Sequence, residues 1–163
     1  KIIKSKNDLN NLYKELNSFK NKFNEDEKFI IEKYVSGKEL TVSILENESV
    51  LQPLEVTEIV SLNKLYDYEA KYKKGFSIHY IPARISKRSY KKCLSLALKI
   101  HKIFKCKTLS RVDFILNEKQ NKVYFLEINS QPGMTKLSLL PEQANFKKIK
   151  FENIILNLIN NAS

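Results

Sequence analysis

The chain has 163 residues and a mass of 19.1 kDa, a length that favours one domain, or one domain with a fragment of another. Hydrophobic residues make up 42% and charged residues 29% of the chain, which excludes disorder throughout. It contains no long uncharged apolar run and no apolar signal core, so neither a membrane span nor export is predicted. The two cysteines, Cys93 and Cys106, lack metal-type spacing, and we expect reduced thiols in a cytoplasmic protein.

The net charge of +11 first suggests a nucleic-acid partner. The basic residues, however, are 26 lysines and only three arginines, Arg84, Arg88 and Arg111. Lysine, asparagine and isoleucine, which AT-rich codons encode, together contribute 59 residues, over a third of the chain. Because nucleic-acid readers rely on arginine and on interspersed aromatics, we interpret the excess of lysine as genome composition. A basic nucleic-acid-binding module remains the alternative from a different class, and it predicts salt-dependent binding without Mg·ATP.

The first elements in chain order are a helix and a strand. Leucine and phenylalanine recur at helical steps across residues 7–23. Ser5 or Asn7 is expected to be the N-cap of this helix, and Asp8, three residues after Ser5, suits a capping box. Residues 28–35 are rich in β-forming side chains and predict a strand, which a Ser-Gly turn follows.

The next segments predict further strands and a loop. Residues 39–45 alternate between polar and apolar side chains, and residues 49–60 are β-rich with Pro53 marking an edge or a bulge. Residues 61–82 have no clear period and predict a long loop, which in a compact domain is usually functional or disordered.

Two more helices are predicted, one over residues 86–105 with Ser86 as its cap and one over residues 151–159. His101 belongs on the edge of the packed face of the first of these helices, and His79 is interpreted as a surface histidine. The buried face of that helix is expected to hold Tyr90, Cys93, Leu94, Ala97, Leu98, His101 and Phe104.

Two predicted strands, at residues 110–116 and 122–130, contain the strongest candidates for site residues, and a short polar turn at Gln120 joins them. Because side chains alternate along a strand, Arg111 and Asp113 share one face of the first strand, and apolar residues occupy the other.

On the second strand Glu127 and Asn129 also share a face. A turn centred on Gln120 predicts that Asp113 lies opposite Glu127 and that Arg111 lies opposite Asn129. Two opposed carboxylates destabilise a hairpin unless a cation lies between them, and these oxygens suit Mg²⁺ beside nucleotide phosphates. The pattern favours a metal–phosphate site, with a solvated strand face as the alternative.

Four ordered segments resemble the D-alanine–D-alanine ligase family of the ATP-grasp superfamily. They are EKYVSGKELTV (32–42), YDYEAKY (66–72), LSRVDF (109–114) and LEINSQPGMT (126–135). The resemblance implies an α+β ATP-grasp fold with a largely antiparallel sheet flanked by helices. It also implies that residues 1–35 finish the central lobe and that residues 36–163 form the C-terminal catalytic lobe, with the N-terminal substrate domain absent.

The resemblance implies a nucleotide site and a metal site. Glu32, Tyr34 and Val35 would hold the adenine of ATP, and Glu39 would bind the ribose. Lys71 would reach the phosphates. The ligands of two Mg²⁺ or Mn²⁺ ions would be Asp113, Glu127 and Asn129.

The remaining implied roles concern the acyl-transfer end of the site. Arg111 and the backbone N–H of Gly133 would stabilise the tetrahedral intermediate. Ser138 and Leu139 would bind the carboxylate of the second D-alanine. The mobile loop that closes the site would contribute Tyr66, Tyr68 and Tyr72, with Tyr72 close to the second substrate.

The activity implied is the ATP- and Mg-dependent ligation of two D-alanines through an acylphosphate, for peptidoglycan precursor synthesis in the cytoplasm. The implied partners are small molecules, D-alanine and ATP, with no nucleic acid or membrane, and the complete enzyme would be a homodimer. Another ATP-grasp carboxylate–amine ligase, including the D-alanine–D-lactate type, is the nearest alternative, although the lysine–tyrosine end of YDYEAKY favours an amine as second substrate. Because the chain starts at Lys1 and its one methionine is Met134, we expect a fragment that is an incomplete catalyst.

Overall fold

The fold contains a five-stranded antiparallel sheet. The structure is a computed structural model, and it describes residues 2–18, 30–47, 50–61, 77–135 and 137–162. Backbone packing divides the chain into two units, Lys1–Val35 and Ser36–Ser163, and each unit is described separately.

The first unit contains helix α1, Lys6–Ser18. The predicted capping box is confirmed, because the backbone N–H of Asp8 donates to Ser5 Oγ at 3.1 Å and the N–H of Ser5 donates to Asp8 Oδ2 at 2.9 Å. The rest of the predicted helix lies outside the described residues. Residues 30–35 form no strand with any described residue, so this part of the strand prediction is wrong. A strand needs a hydrogen-bonded neighbour, and the described sheet belongs wholly to the second unit.

The second unit contains the sheet, in the order β3-β2-β1-β4-β5, with every neighbouring pair antiparallel. Its strands are β1 (Lys38–Asn47), β2 (Val50–Ser61), β3 (Ser77–Tyr80), β4 (Leu109–Asn117) and β5 (Lys122–Asn129). Strand β3 falls inside the segment predicted to be a loop, so that prediction is wrong at its end, and residues 62–76 lie outside the described part. The predicted α+β class with an antiparallel sheet is confirmed.

In the described part of this unit three helices accompany the sheet: α2 (Lys87–Ile103), α3 (Leu139–Phe146) and α4 (Phe151–Asn160). Ser86 caps α2 as predicted, and its Oγ accepts a hydrogen bond from the N–H of Ser89 at 3.2 Å. Phe104 ends α2 with 56% of its surface exposed, so its predicted place on the buried face is wrong. Among the described residues no helix is long and apolar enough to cross a membrane.

The two faces of the sheet bury different side chains because residues alternate along each strand. One face packs against Cys93 and Ala97 of α2, and the buried residues of this face include Leu40, Val42, Val56, Val112 and Phe114. The opposite face packs against α3 and α4 through Leu45, Leu54, Leu109, Leu140, Ala144 and Ile154. This second face also carries the buried polar row described below.

A β-bulge interrupts the pairing of β1 with β2. The register changes between Val42, which faces Val56, and Ile44, which faces Pro53, so that Ser43 has two residues opposite it. Of the edge or bulge predicted at Pro53, the bulge is confirmed directly beside it, where proline has no backbone N–H to donate across the ladder.

Gln143 of α3 supplies the hydrogen bonds that the bulge removes. Its side chain is fully buried, and its Oε1 accepts from the N–H of Ser43 at 2.9 Å. Its Nε2 donates to Thr57 Oγ1 at 2.9 Å and to the carbonyl oxygen of Thr41 at 3.3 Å. The helix is therefore held to β1 and β2 by polar bonds as well as by apolar packing.

Candidate active site

The β4–β5 hairpin places four polar side chains in two facing pairs. Asp113 lies opposite Glu127 and Arg111 lies opposite Asn129, so the predicted register is confirmed. Beyond this point the register shifts by one residue, and Phe114 faces Phe125. The extra residue in β5, Leu126, reverses the alternation there. Phe125 can therefore stack edge-on against Phe114, on the apolar side of the sheet, at 6.5 Å between ring centroids.

Arg111 lies between the two carboxylates. Its Nε donates to Asp113 Oδ1 at 3.0 Å and its Nη2 donates to Asp113 Oδ2 at 2.9 Å. The same Nη2 lies 3.9 Å from Glu127 Oε1. The Arg111 and Asp113 side chains keep only 15% and 14% of their surface exposed, while Glu127 keeps 56%. The guanidinium thus supplies the positive charge that two opposed carboxylates require.

Thr41 of β1 completes the surroundings of Asp113. It is fully buried and directly opposite Asp113 in the β1–β4 pair. Its hydroxyl donates to Asp113 Oδ1 at 2.5 Å, whereas the carbonyl oxygen of Val112 lies 3.5 Å away. Since a threonine hydroxyl has one proton, the shorter contact to the carboxylate is the stronger bond.

A tight loop follows β5. Asn129 Oδ1 accepts from the N–H of Gln131 at 2.9 Å, which turns the chain as it leaves the strand. Gly133 passes so close to Ser138 that an added Cβ would lie 2.8 Å from Ser138 Oγ. The same Oγ accepts from the N–H of Thr135 at 3.0 Å, so the loop closes onto the first turn of α3. Gly133 and Ser138, both predicted site residues, are therefore neighbours.

The donor set fits a hard divalent cation. Asp113, Glu127 and Asn129 contribute carboxylate and amide oxygens from one face of one hairpin, the ligand type that Mg²⁺ and Mn²⁺ prefer. No cluster of three or more histidine, cysteine, aspartate or glutamate side chains suited to a metal occurs in the described part of the chain. A metal here would therefore depend on the amide of Asn129 and on groups of the nucleotide.

The other predicted site residues are placed differently. Glu39 is half-buried on β1 and shares the face of Thr41, two residues further along the strand. Glu32 and Tyr34 are exposed and Val35 is half-buried, all three in the first unit. Leu139 is buried in the first turn of α3, so that only its backbone is available to a ligand. Lys71, Tyr66, Tyr68 and Tyr72 lie outside the described residues.

Three polar residues near the site were not anticipated. Thr41 and Gln143 are fully buried, and Glu142 Oε2 lies 2.7 Å from Nδ1 of His79. His79 keeps only 18% of its side chain exposed, so its interpretation as a plain surface histidine is wrong. Thr41 could have been found from the alternation of polar and apolar residues in β1, because this alternation places Thr41 on the same strand face as Glu39.

Comparison with solved structures defines the class of fold. The structure resembles the D-alanine–D-alanine ligase of Bacillus anthracis complexed with ATP, with a TM-score of 0.72 and 27% sequence identity. The match covers 98% of this chain and 49% of that chain. The fold is therefore that of the ATP-grasp ligases, as predicted.

Comparison of sequences then gives the family. Residues 3–160 match the family described as D-ala D-ala ligase C-terminus, and the chain belongs to this family. The D-alanine–D-alanine ligase of Rickettsia typhi is 47% identical over 138 residues, which cover 84% of this chain and 42% of that protein. The ligase of Fusobacterium nucleatum is 47% identical over 127 residues, covering 77% of this chain and 42% of that protein. The chain thus spans less than half the length of the curated relatives it matches.

Proposed function

We propose that the chain is the C-terminal catalytic portion of an ATP-dependent, ADP-forming D-alanine–D-alanine ligase that makes a peptidoglycan precursor. The observation that carries the proposal is the hairpin in which Arg111 lies between Asp113 and Glu127, in a chain of this ligase family. A carboxylate–amine ligase needs positive charge at a transferring phosphoryl group and at an oxyanion, and this hairpin offers the residues for both.

Residues 1–35 are assigned to the end of the central nucleotide lobe, and residues 36–163 to the C-terminal lobe. Glu32, Tyr34 and Val35 would contact the adenine of ATP. Glu39 would bind the ribose hydroxyls, an assignment supported by its place on the same strand face as Thr41, beside Asp113.

Asp113, Glu127 and Asn129 would hold two Mg²⁺ or Mn²⁺ ions. When bound, such ions neutralise phosphate oxygens and favour in-line phosphoryl transfer. Arg111 has five N–H donors, of which Asp113 takes two, and its fixed guanidinium would donate to the oxyanion formed when an amine attacks the acylphosphate. The salt bridge to Asp113 orients the guanidinium before substrate arrives, which lowers the cost of reorganisation.

The loop after β5 would bind the second D-alanine. The N–H of Gly133 would donate to the same oxyanion as Arg111. Ser138 and Leu139 lie at the start of α3, where helix N–H groups and the helix dipole favour a carboxylate. Lys71 and the tyrosines at 66, 68 and 72 are proposed to close the site and exclude water, which would otherwise hydrolyse the acylphosphate.

The proposed partners are D-alanine and ATP, in a cytoplasmic enzyme that forms a homodimer when complete and binds neither nucleic acid nor membrane. Because the chain spans about 42% of its curated relatives, we propose that it binds nucleotide weakly by itself and turns over only with the missing part.

The test is the substitution Glu127→Gln in a chimaera, in which this chain replaces the segment it matches in the Rickettsia typhi ligase. Glutamine keeps the shape of the side chain but loses the negative charge and one of the two oxygens that can bind a metal, so D-alanine-dependent ADP formation should fall by about two orders of magnitude or more. Glu118→Gln is the matched control, because Glu118 lies in the turn of the same hairpin with 54% of its side chain exposed. It should retain activity within about twofold. Near-normal turnover of Glu127→Gln in an active, folded chimaera would refute the site.

A further inference from the structure

We infer that Thr41 is a positioning residue that fixes the carboxylate of Asp113 for metal binding, an inference that rests on the proposed function. The starting observation is a straight row of polar residues across four strands of the sheet. Thr57 of β2 faces Thr41 of β1, Thr41 faces Asp113 of β4, and Asp113 faces Glu127 of β5. The first two residues of this row are fully buried and the last is half exposed.

The backbone of Thr41 is rigid because β1 is the middle strand of the sheet, paired with β2 on one side and β4 on the other. Its side chain has no access to solvent, and a β-branched residue has restricted rotation about χ1. The hydroxyl is therefore held in place, and its proton is directed at Asp113 Oδ1 at 2.5 Å. A charge-assisted O–H···O⁻ bond of this length is among the stronger hydrogen bonds in proteins.

The bond from the Thr41 hydroxyl determines which oxygen of Asp113 is available to bind a metal ion. A carboxylate has about four lone-pair sites, two on each oxygen. Among the described residues, Thr41 Oγ1 and Arg111 Nε both donate to Oδ1, whereas Arg111 Nη2 donates to Oδ2. Oδ2 is thus the oxygen with a lone pair to spare for a cation. Without Thr41 the carboxylate can rotate and share its oxygens differently with Arg111, which weakens its preference for a metal.

The experiment measures binding of Mn²⁺ in the presence of ADP by electron paramagnetic resonance, in the chimaera described above and in its Thr41→Val variant. Valine has the shape of threonine and lacks only the hydroxyl, so it should weaken Mn²⁺ binding by about tenfold or more. Thr41→Ser restores the hydroxyl and should recover most of the affinity. Thr57→Val is the matched control, because Thr57 is equally buried in the same row but does not contact Asp113. It should bind Mn²⁺ like wild type.

Thermal unfolding of each variant separates positioning from folding. If Thr41→Val fails to fold, Thr41→Ala replaces it, since the shorter side chain relieves any crowding. Equal Mn²⁺ affinity in Thr41→Val and Thr57→Val, together with loss of binding in Glu127→Gln, would overturn the role of Thr41 and leave the metal site standing. Absence of Mn²⁺ binding in the chimaera without the Thr41 substitution, at millimolar Mn²⁺ with ADP present, would overturn both this inference and the proposed metal site.

Discussion

Gln143→Leu isolates the contribution of the amide that spans the β-bulge. Gln143 is fully buried, and leucine is close to it in size but has no polar atoms. The substitution removes the acceptor of the Ser43 N–H at 2.9 Å, and Ser43 is the β1 residue that lies opposite the bulge in β2. It also removes the donor to Thr57 Oγ1.

The magnitude follows from these two losses. A buried N–H left without a partner costs about 1–3 kcal/mol, and a neutral hydrogen bond contributes about 1 kcal/mol. The leucine side chain gains burial of apolar surface, which offsets about 1 kcal/mol of the loss. We therefore expect a net destabilisation of about 1–3 kcal/mol. For a chain of this length, the corresponding decrease in Tm is about 2–12 °C.

The assay is urea unfolding of the chain, followed by circular dichroism, with the midpoint and the m-value fitted together. Asn145→Leu is the matched control, because Asn145 makes the same amide-to-leucine change on the exposed side of the same helix. It should stay within about 0.5 kcal/mol of wild type. If Gln143→Leu also stays within that margin, the bulge does not depend on the side-chain amide and the reasoning is wrong.

Further predictions concern a close backbone approach and a buried histidine. Gly37→Ala should destabilise the chain by about 1–3 kcal/mol, because the added Cβ would overlap the carbonyl group of Leu116 in β4. Urea unfolding measures this loss. If the variant is as stable as wild type, the backbone at residue 37 can move away from β4 without cost and the reasoning is wrong. His101 is buried with its Nδ1 at 2.7 Å from Ser110 Oγ, and this burial lowers its pKa below 6.5. The histidine therefore binds a proton more tightly in the unfolded chain than in the folded chain. The free energy of unfolding should be unaffected by this group above about pH 6.5 and should decrease as the pH falls below that value. In His101→Asn the urea midpoint should depend less on pH across that range than it does in wild type. An equal dependence on pH in both proteins would exclude His101 as the cause.

The hairpin was predictable because its information is local. The polar turn at Gln120 sets the register, and period two then puts Asp113 opposite Glu127 without any knowledge of the rest of the fold. The shift at Leu126 was not predictable, since Phe125 and Leu126 are both apolar and only packing against Phe114 decides which of them faces α2.

The elements that sequence reasoning missed depend on distant contacts. Helix α3 has proline at position 141 and polar residues at 142 and 143, so its apolar period is weak. Gln143 is buried where the bulge opposite Ser43 takes a hydrogen-bond partner from outside the sheet, which no local pattern shows. The hydroxyl of Thr41 likewise has a role only once β1 lies beside β4, a pairing that spans about 70 residues and that no local pattern encodes.

The basic residues of α2 have a consequence for how the molecule behaves in solution. This helix has no acidic residue, and its exposed side chains include Lys87, Arg88, Lys91, Lys92, Lys99 and Lys102. They project from the side of the sheet opposite Asp113, beyond a buried apolar layer. The salt ions that screen a charge within about 8 Å at physiological ionic strength lie in the solvent around the helix and not in that apolar layer. The six basic side chains of α2 therefore act first on molecules that approach this helix, as like-charge repulsion that limits non-specific association.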